Sequence, residues 1–459
     1  MSPPRSAGVL VSSSPSPSSS LAVQLWRQTW PMAIGVLALL GFQLVDSAFV
    51  ARLGTTPLAA QTFTFPLSFL IIGIQVGMGI AIAALISRAL GADEQARARR
   101  LGTLVLVAGG VIIALLALLL WAFQTPIFTL LGADADSLPL IRRYWAPQLL
   151  SAWLGALLYF GYSLFRAHGD TRLPGKLMVY TSLINLALDP LLIFGVGPWA
   201  GLGLPGAAWA TAVAFALGLL LLGGRLRHAN WLAVAGLAGE ARRSLRPFAS
   251  IAGPAMVSQL MPPLASMLAI AVVASLGETS VAAWGLASRL ETLSLMMVLA
   301  LTMSLPPWLG RCYGAGDWQQ IERLMCLAAK AVVIWQLSLG AFMALASPWV
   351  AQALSGNPEI RGDLATLIRY LLPSYALLGL CMLVVSAGNA LGWPLRAMLM
   401  SAARLFVCYL PCLGLGMTLA GLPGLAAGAA LGNVLAGLLA WRLYRYMSER
   451  QTRRADLTK

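Results

Sequence analysis

Apolar runs of about 20 residues, repeated along the chain and separated by short polar connections, constrain this sequence more than anything else in it. Coiled as a helix, such a run matches the hydrocarbon core of a bilayer, about 30 Å thick. In lipid a segment must satisfy its own backbone polar groups, which excludes irregular chain and open-edged strands. The runs fall near 29–51, 61–87, 101–122, 144–165, 174–196, 204–223, 248–276, 281–310, 326–352, 364–388, 394–418 and 424–446. They predict an all-α integral membrane protein of about twelve transmembrane helices. Composition agrees: 10% of the 459 residues are charged, against about a quarter in a soluble chain.

The net charge of +15 could point to nucleic acid, but the Lys and Arg are neither gathered in one domain nor interleaved with aromatics. They occupy alternate connections: Arg88 to Arg100, Arg166 to Lys176, Arg225 to Arg246, Arg311 with Arg323, and the tail from Arg442. By the positive-inside rule both termini are expected in the cytoplasm of a multi-pass protein of the inner (plasma) membrane, with the bilayer and not nucleic acid as partner. His168 and His228 fall beside arginines in these connections, where a surface or phosphate-facing role is the default. The five cysteines, Cys312, Cys326, Cys381, Cys408 and Cys412, imply no disulfide framework. Cys408 and Cys412 share a helix face, but with no His or further Cys nearby they read as small packing residues rather than metal ligands.

The chain repeats itself at an offset of 223 residues: Pro31 with Pro254, Gly54 with Gly277, Arg88 with Arg311, Gly91 with Gly314. Later the offset drops to 218, where GLPGAA (203–208) meets GLPGLA (421–426). Six helices per half is an even number, so both halves insert the same way up, as in two-lobed transporters with parallel repeats. The organisation read from this is a disordered cytoplasmic segment (1–24), an amino-terminal lobe (25–228), an inter-lobe linker (229–247), a carboxy-terminal lobe (248–446) and a basic tail (447–459). A transporter is the leading class. An enzyme would need a concentrated polar catalytic set, and no nucleophile, metal set or phosphate loop stands out.

A carboxylate inside a span is costly unless it faces a cavity or a partner, so each is a candidate for function. Asp46 lies in the first run and Asp189 in the fifth, with Asn185 one helical turn before Asp189 on the same face. Pro190 frees the carbonyl four residues back as a further ligand. Together these make an oxygen-rich pocket for a proton or a sodium ion. At the repeat offset Asp46 meets Ala269, and the region matching Asp189 holds Cys408, Tyr409, Leu410 and Pro411. Ion coupling is therefore expected in the amino-terminal half alone. Glu291, with Arg289 two residues before it and Arg404 mid-span in the eleventh helix, is expected to form a structural or gating ion pair. Met256, Met261, Met296, Met297 and Met303 are candidates for lining a substrate cavity.

These residues resemble the multidrug and toxic compound extrusion (MATE) transporters, in particular their DinF-like branch. The likeness spans about 25–446 and rests on VDSAFVARLG (45–54), ISRALGA (86–92), RAHGDTRLP (166–174), INLALDPLLIFG (184–195), GAAWAT (206–211), ASRLE (287–291) and GRCYGAG (310–316). The resemblance implies two six-helix lobes around a V-shaped cavity, and a monomer without cofactor exporting amphipathic, often cationic, compounds against H+ or Na+. It places the cation site on Asp46, Asn185, Asp189 and Thr211. The alternative is a lipid or lipid-linked glycan flippase, which would need several cations inside the cavity, where Arg289 and Arg404 are those available.

Overall fold

A computed structural model describes residues 21–133, 137–198 and 200–457. Most of the segment expected to be disordered, residues 1–20, lies outside these, but Leu21 to Gln24 already belong to a helix. The correction has a packing cause, since Leu25 in that first turn is buried in the core of the other lobe.

The amino-terminal lobe contains α1 (Leu21–Ala51), α2 (Thr55–Gly91), α3 (Gln95–Ala122), the short α4 (Gln124–Leu130), α5 (Ser137–Ala167), α6 (Arg172–Phe194) and α7 (Leu204–Ala229). The carboxy-terminal lobe contains α8 (Leu237–Ala274), α9 (Glu278–Ser294), α10 (Met296–Gly314), α11 (Trp318–Leu345), the short α12 (Ser347–Leu354), α13 (Pro358–Ala390), α14 (Pro394–Ala403), a π-helical segment (Arg404–Tyr409) and α15 (Leu410–Leu457). Among the described residues, ten stretches are long and apolar enough to cross a membrane. The pair α9 and α10, bent by 40°, makes an eleventh. The last stretch folds back at Ala420 and Gly421 (φ +57°), a conformation that favours glycine, so it counts as two crossings and the total is twelve.

Small residues set how tightly that final hairpin closes. A Cβ on Gly424 would run into the Gly416 carbonyl oxygen, one on Gly428 into that of Cys412, and one on Gly432 would come within 2.8 Å of that of Cys408. The two arms therefore lie backbone to backbone. Gly424→Leu is expected to lower the thermal unfolding midpoint in detergent by several degrees, because overpacking of this kind costs about 1–3 kcal/mol. An unchanged midpoint would mean that the arms separate freely.

The linker is shorter than expected: α8 starts at Leu237, and its first turns are tied to α3 by Glu240, which accepts from Arg97 at 3.3 Å and pairs with Arg100 at 3.4 Å. The basic tail likewise continues α15 as helix to Leu457. His228 is exposed. His168, expected at the surface, instead stacks on Trp231 with ring centroids 4.0 Å apart. Burial, then the nearby Arg311 and Arg99 cations, pushes its pKa down to about 4.

The lobes meet towards the face that carries the arginine-rich connections. Leu25 joins the carboxy-terminal core, and Ile251, Ala252 and Ala300 join the amino-terminal one. The core nearer the opposite face, around Val50, Ile71, Phe128, Trp145 and Ile193, draws on the amino-terminal lobe alone. At the basic face the repeat produces a reciprocal clasp. Arg88 of α2 donates to the carbonyls of Ala390 (2.9 Å) and Asn389 (2.7 Å) at the end of α13. Arg311 of α10 donates twice to the carbonyl of Ala167 (3.1 and 2.8 Å) at the end of α5. Arg88 and Arg311 are repeat mates, and so are Ala167 and Ala390, at the same offset of 223. Between them Gly91 faces the Arg311 carbonyl and Gly314 faces that of Arg88, each so close that a Cβ could not fit.

Candidate functional site

Asp189 and Asn185 are both buried on one face of α6, at 0% and 2% exposure. Pro190 removes one backbone donor, yet α6 runs on unbroken to Phe194. With its amide nitrogen turned to the carboxylate, Asn185 donates to Asp189 Oδ2 at 2.8 Å and to Oδ1 at 3.2 Å. Its amide oxygen then accepts the Thr211 backbone N–H at 3.0 Å. The Thr211 hydroxyl, on α7, reaches the Ala207 carbonyl at 3.1 Å and the Asn185 side chain at 2.9 Å. Asp46 stands on α1, which packs along α6. Its Oδ1 is buried and has no hydrogen-bond partner.

The residues Asp46, Asn185, Asp189 and Thr211 are thus assembled by three helices of one lobe. Among the described residues, no Lys or Arg forms an ion pair with either acid, in contrast to Glu94 and Glu240, which pair with arginines. Two carboxylates offer hard oxygen atoms, while the Asn185 amide oxygen is already taken up by Thr211 and its nitrogen orients Asp189. No group of three or more His, Cys, Asp or Glu able to hold a metal occurs among the described residues.

The second-lobe charges behave differently from the expected ion pair. Glu291 accepts from the Tyr375 hydroxyl at 3.1 Å, whereas Arg289 is exposed. Residues two apart on a helix point to opposite sides, so the RLE sequence cannot close on itself. Arg404 acts on Glu291 only at a distance, and it opens the π-helical segment that precedes Pro411. A missing N–H at Pro411 is the local cause of such a register change, and π segments are common at functional sites.

Between the lobes lies a cavity of about 180 Å3. Met261 and Met303 line it, as does Met382, which periodicity alone does not single out. The other methionine candidates do not: Met256 and Met297 pack against the amino-terminal core, and Met296 is absent from the cavity wall. The wall contains Arg166 and Arg404 and no carboxylate, the reverse of what a preference for cations requires. Arg166 reads as a loop residue in the sequence, but α5 extends past it and it is 4% exposed. The only local signal for it is its position at the end of a long apolar run, which does not say what packs above it.

The MatE family model matches residues 31–191 and 254–413, one copy in each lobe. A solved MATE transporter of Vibrio cholerae, VcmN, is 45% identical and superimposes with a TM-score of 0.91, covering 94% of this chain and 97% of that one. An FAD transporter of Shewanella oneidensis is 34% identical over 93% of this chain and 94% of its own length. The multidrug export protein MepA of Staphylococcus aureus is 22% identical over 92% and 93% of the two chains. With a twelve-crossing, two-lobed architecture, a family match in each repeat and full-length relatives that are transporters, this chain belongs to the MATE family of membrane transporters.

Proposed function

We propose that this MATE transporter is a secondary antiporter that exports amphipathic organic molecules in exchange for inward H+ or Na+. It works as a monomer without a cofactor, and its basic face and termini lie in the cytoplasm. The observation that carries this reading is the Asp46, Asn185, Asp189 and Thr211 cluster: two acids within a membrane lobe, Asp189 hydrogen-bonded to Asn185 and Asp46 with a buried, unpartnered Oδ1, and neither with a cationic partner. Such a pair is unfavourable in low dielectric unless a cation joins it, which is how a gradient can drive a change of lobe arrangement. Inward movement of one charge is worth about 2.3 kcal/mol per 100 mV.

The relatives are named for different cargoes, multidrug compounds and FAD, so the test must offer both kinds. Purified protein in proteoliposomes is expected to move ethidium or FAD when a proton or sodium gradient is imposed, and to stop when the gradient is collapsed. Transport that ignores both gradients would overturn the antiport reading. The flippase alternative would show instead as gradient-independent movement of a labelled lipid.

A further inference from the structure

We propose that the cavity between the lobes is an organic-anion site, in which Arg166 from one lobe and Arg404 from the other grip a phosphate or carboxylate head group. Tyr159 and the methionines 261, 303 and 382 of the same wall would hold the flat apolar part of the ligand. This deepens the export reading by naming its cargo class and rests on it.

Three observations carry the inference. Arg166 is buried, and its Nε has no partner. Its Nη2 donates to Ser163 at 2.8 Å and its guanidinium lies 5.2 Å from the centre of the Tyr159 ring, contacts that leave its positive charge unneutralised. A guanidinium presents five donors in a planar fork that matches carboxylate and phosphate, so an unpaired one facing a cavity selects an anion. Arg404 supplies the second charge from the opposite lobe without an ion pair, Glu291 being held by Tyr375 and absent from the cavity wall.

The third observation comes from the repeat. The mate of Arg166 at the offset of 223 is Asn389, which lines the same cavity with a buried Oδ1 that has no partner. Charge is thus kept on one side of the pseudo-symmetric pair, while the other offers an amide whose nitrogen can donate to the same head group. Because the two arginines belong to different lobes, an anion that touches both favours the arrangement that holds them together.

The test uses full-length protein in nanodiscs, without a gradient, and four ligands that share one ring: 1-naphthyl phosphate, 1-naphthoate, 1-naphthol and 1-naphthylmethylammonium. The two anions are expected to bind about tenfold or more tightly than the neutral and cationic members. The phosphate-to-carboxylate ratio then tells which head group the cavity prefers. Arg166→Gln and Arg404→Gln should each remove that preference while leaving the weak binding of 1-naphthol in place, and the Lys variants should retain part of it. Neutral or cationic ligand binding as tightly as the anions would overturn the proposal. So would anion binding that both Gln variants leave unchanged. If a Gln variant fails to fold, the wild-type ligand series still decides. Gradient-driven ethidium efflux with no anion preference would refute this inference alone, and anion binding without gradient-driven transport would refute the antiport reading alone.

Discussion

Asp189→Asn is expected to reduce gradient-driven export to the leak of protein-free liposomes while leaving the protein folded. The amide has the shape of the carboxylate and can still hydrogen-bond to Asn185, whose side chain lies 2.8 Å from Oδ2, so packing is preserved. What disappears is the negative charge that a cation must meet inside a water-poor lobe. With coupling to one charge lost, a 100 mV potential no longer contributes its roughly 2.3 kcal/mol, equivalent to about a fiftyfold concentration ratio. Asp46→Asn should do the same, and the double variant should be no worse than either single one, since the two acids act as one site. Asn185→Ala should weaken coupling only partly, because it removes a hydrogen-bond donor rather than a charge. Flux is read in proteoliposomes, with a thermal unfolding midpoint as the control for folding. Undiminished export in both Asp variants would place coupling elsewhere.

The second large effect is expected at the basic face. Arg88 and Arg311 each make two charge-assisted hydrogen bonds to carbonyls at a helix C-terminus across the lobe boundary, the negative end of the helix dipole. Hydrogen bonds to charged groups contribute about 1.5–3 kcal/mol each. Moving a two-state equilibrium from 1:99 to 99:1 takes about 5.5 kcal/mol. Arg88→Ala and Arg311→Ala should therefore each loosen the closed basic face by a similar amount, as their repeat symmetry implies, and the double variant should open it in most molecules. Spin-label distances between the basic ends of α2 and α10 would report the separation, and flux should fall as the closed state is lost. Arg→Lys at either position should rescue poorly, because an ammonium cannot form the forked contact. A double variant that keeps the wild-type distance distribution would show that the glycine crossing of Gly91 and Gly314 holds the face shut without the clasp.

Much of the candidate site is legible in the chain. Asp46 and Asp189 are conspicuous because an acid inside an apolar run needs a reason, and the four-residue spacing puts Asn185 beside Asp189 without any tertiary knowledge. Thr211 is not legible in that way, since an unremarkable threonine on another helix acquires its role only by resemblance, and the fold then brings it within 2.9 Å of Asn185. The pairing expected for Glu291 fails for a local reason that helical geometry already contains, as Arg289 and Glu291 point to opposite sides of α9. Its actual partner, Tyr375, is 84 residues away and has no signature in the sequence.

What the sequence determined by itself is what hydropathy, helical period and internal repetition encode: twelve crossings, two equivalent lobes, and the Asp46, Asn185 and Asp189 set in the first of them alone. These are properties of single segments, and the bilayer enforces them segment by segment. Only the tertiary structure decided which charges face one another. It turned Arg166 from a loop cation into a wall of the central cavity, set Arg404 opposite it, and crossed the repeat mates Arg88 and Arg311 over the ends of α13 and α5. The physical reason is that a period fixes the face on which a side chain stands, while whether that face meets water, lipid or the other lobe depends on residues hundreds of positions away.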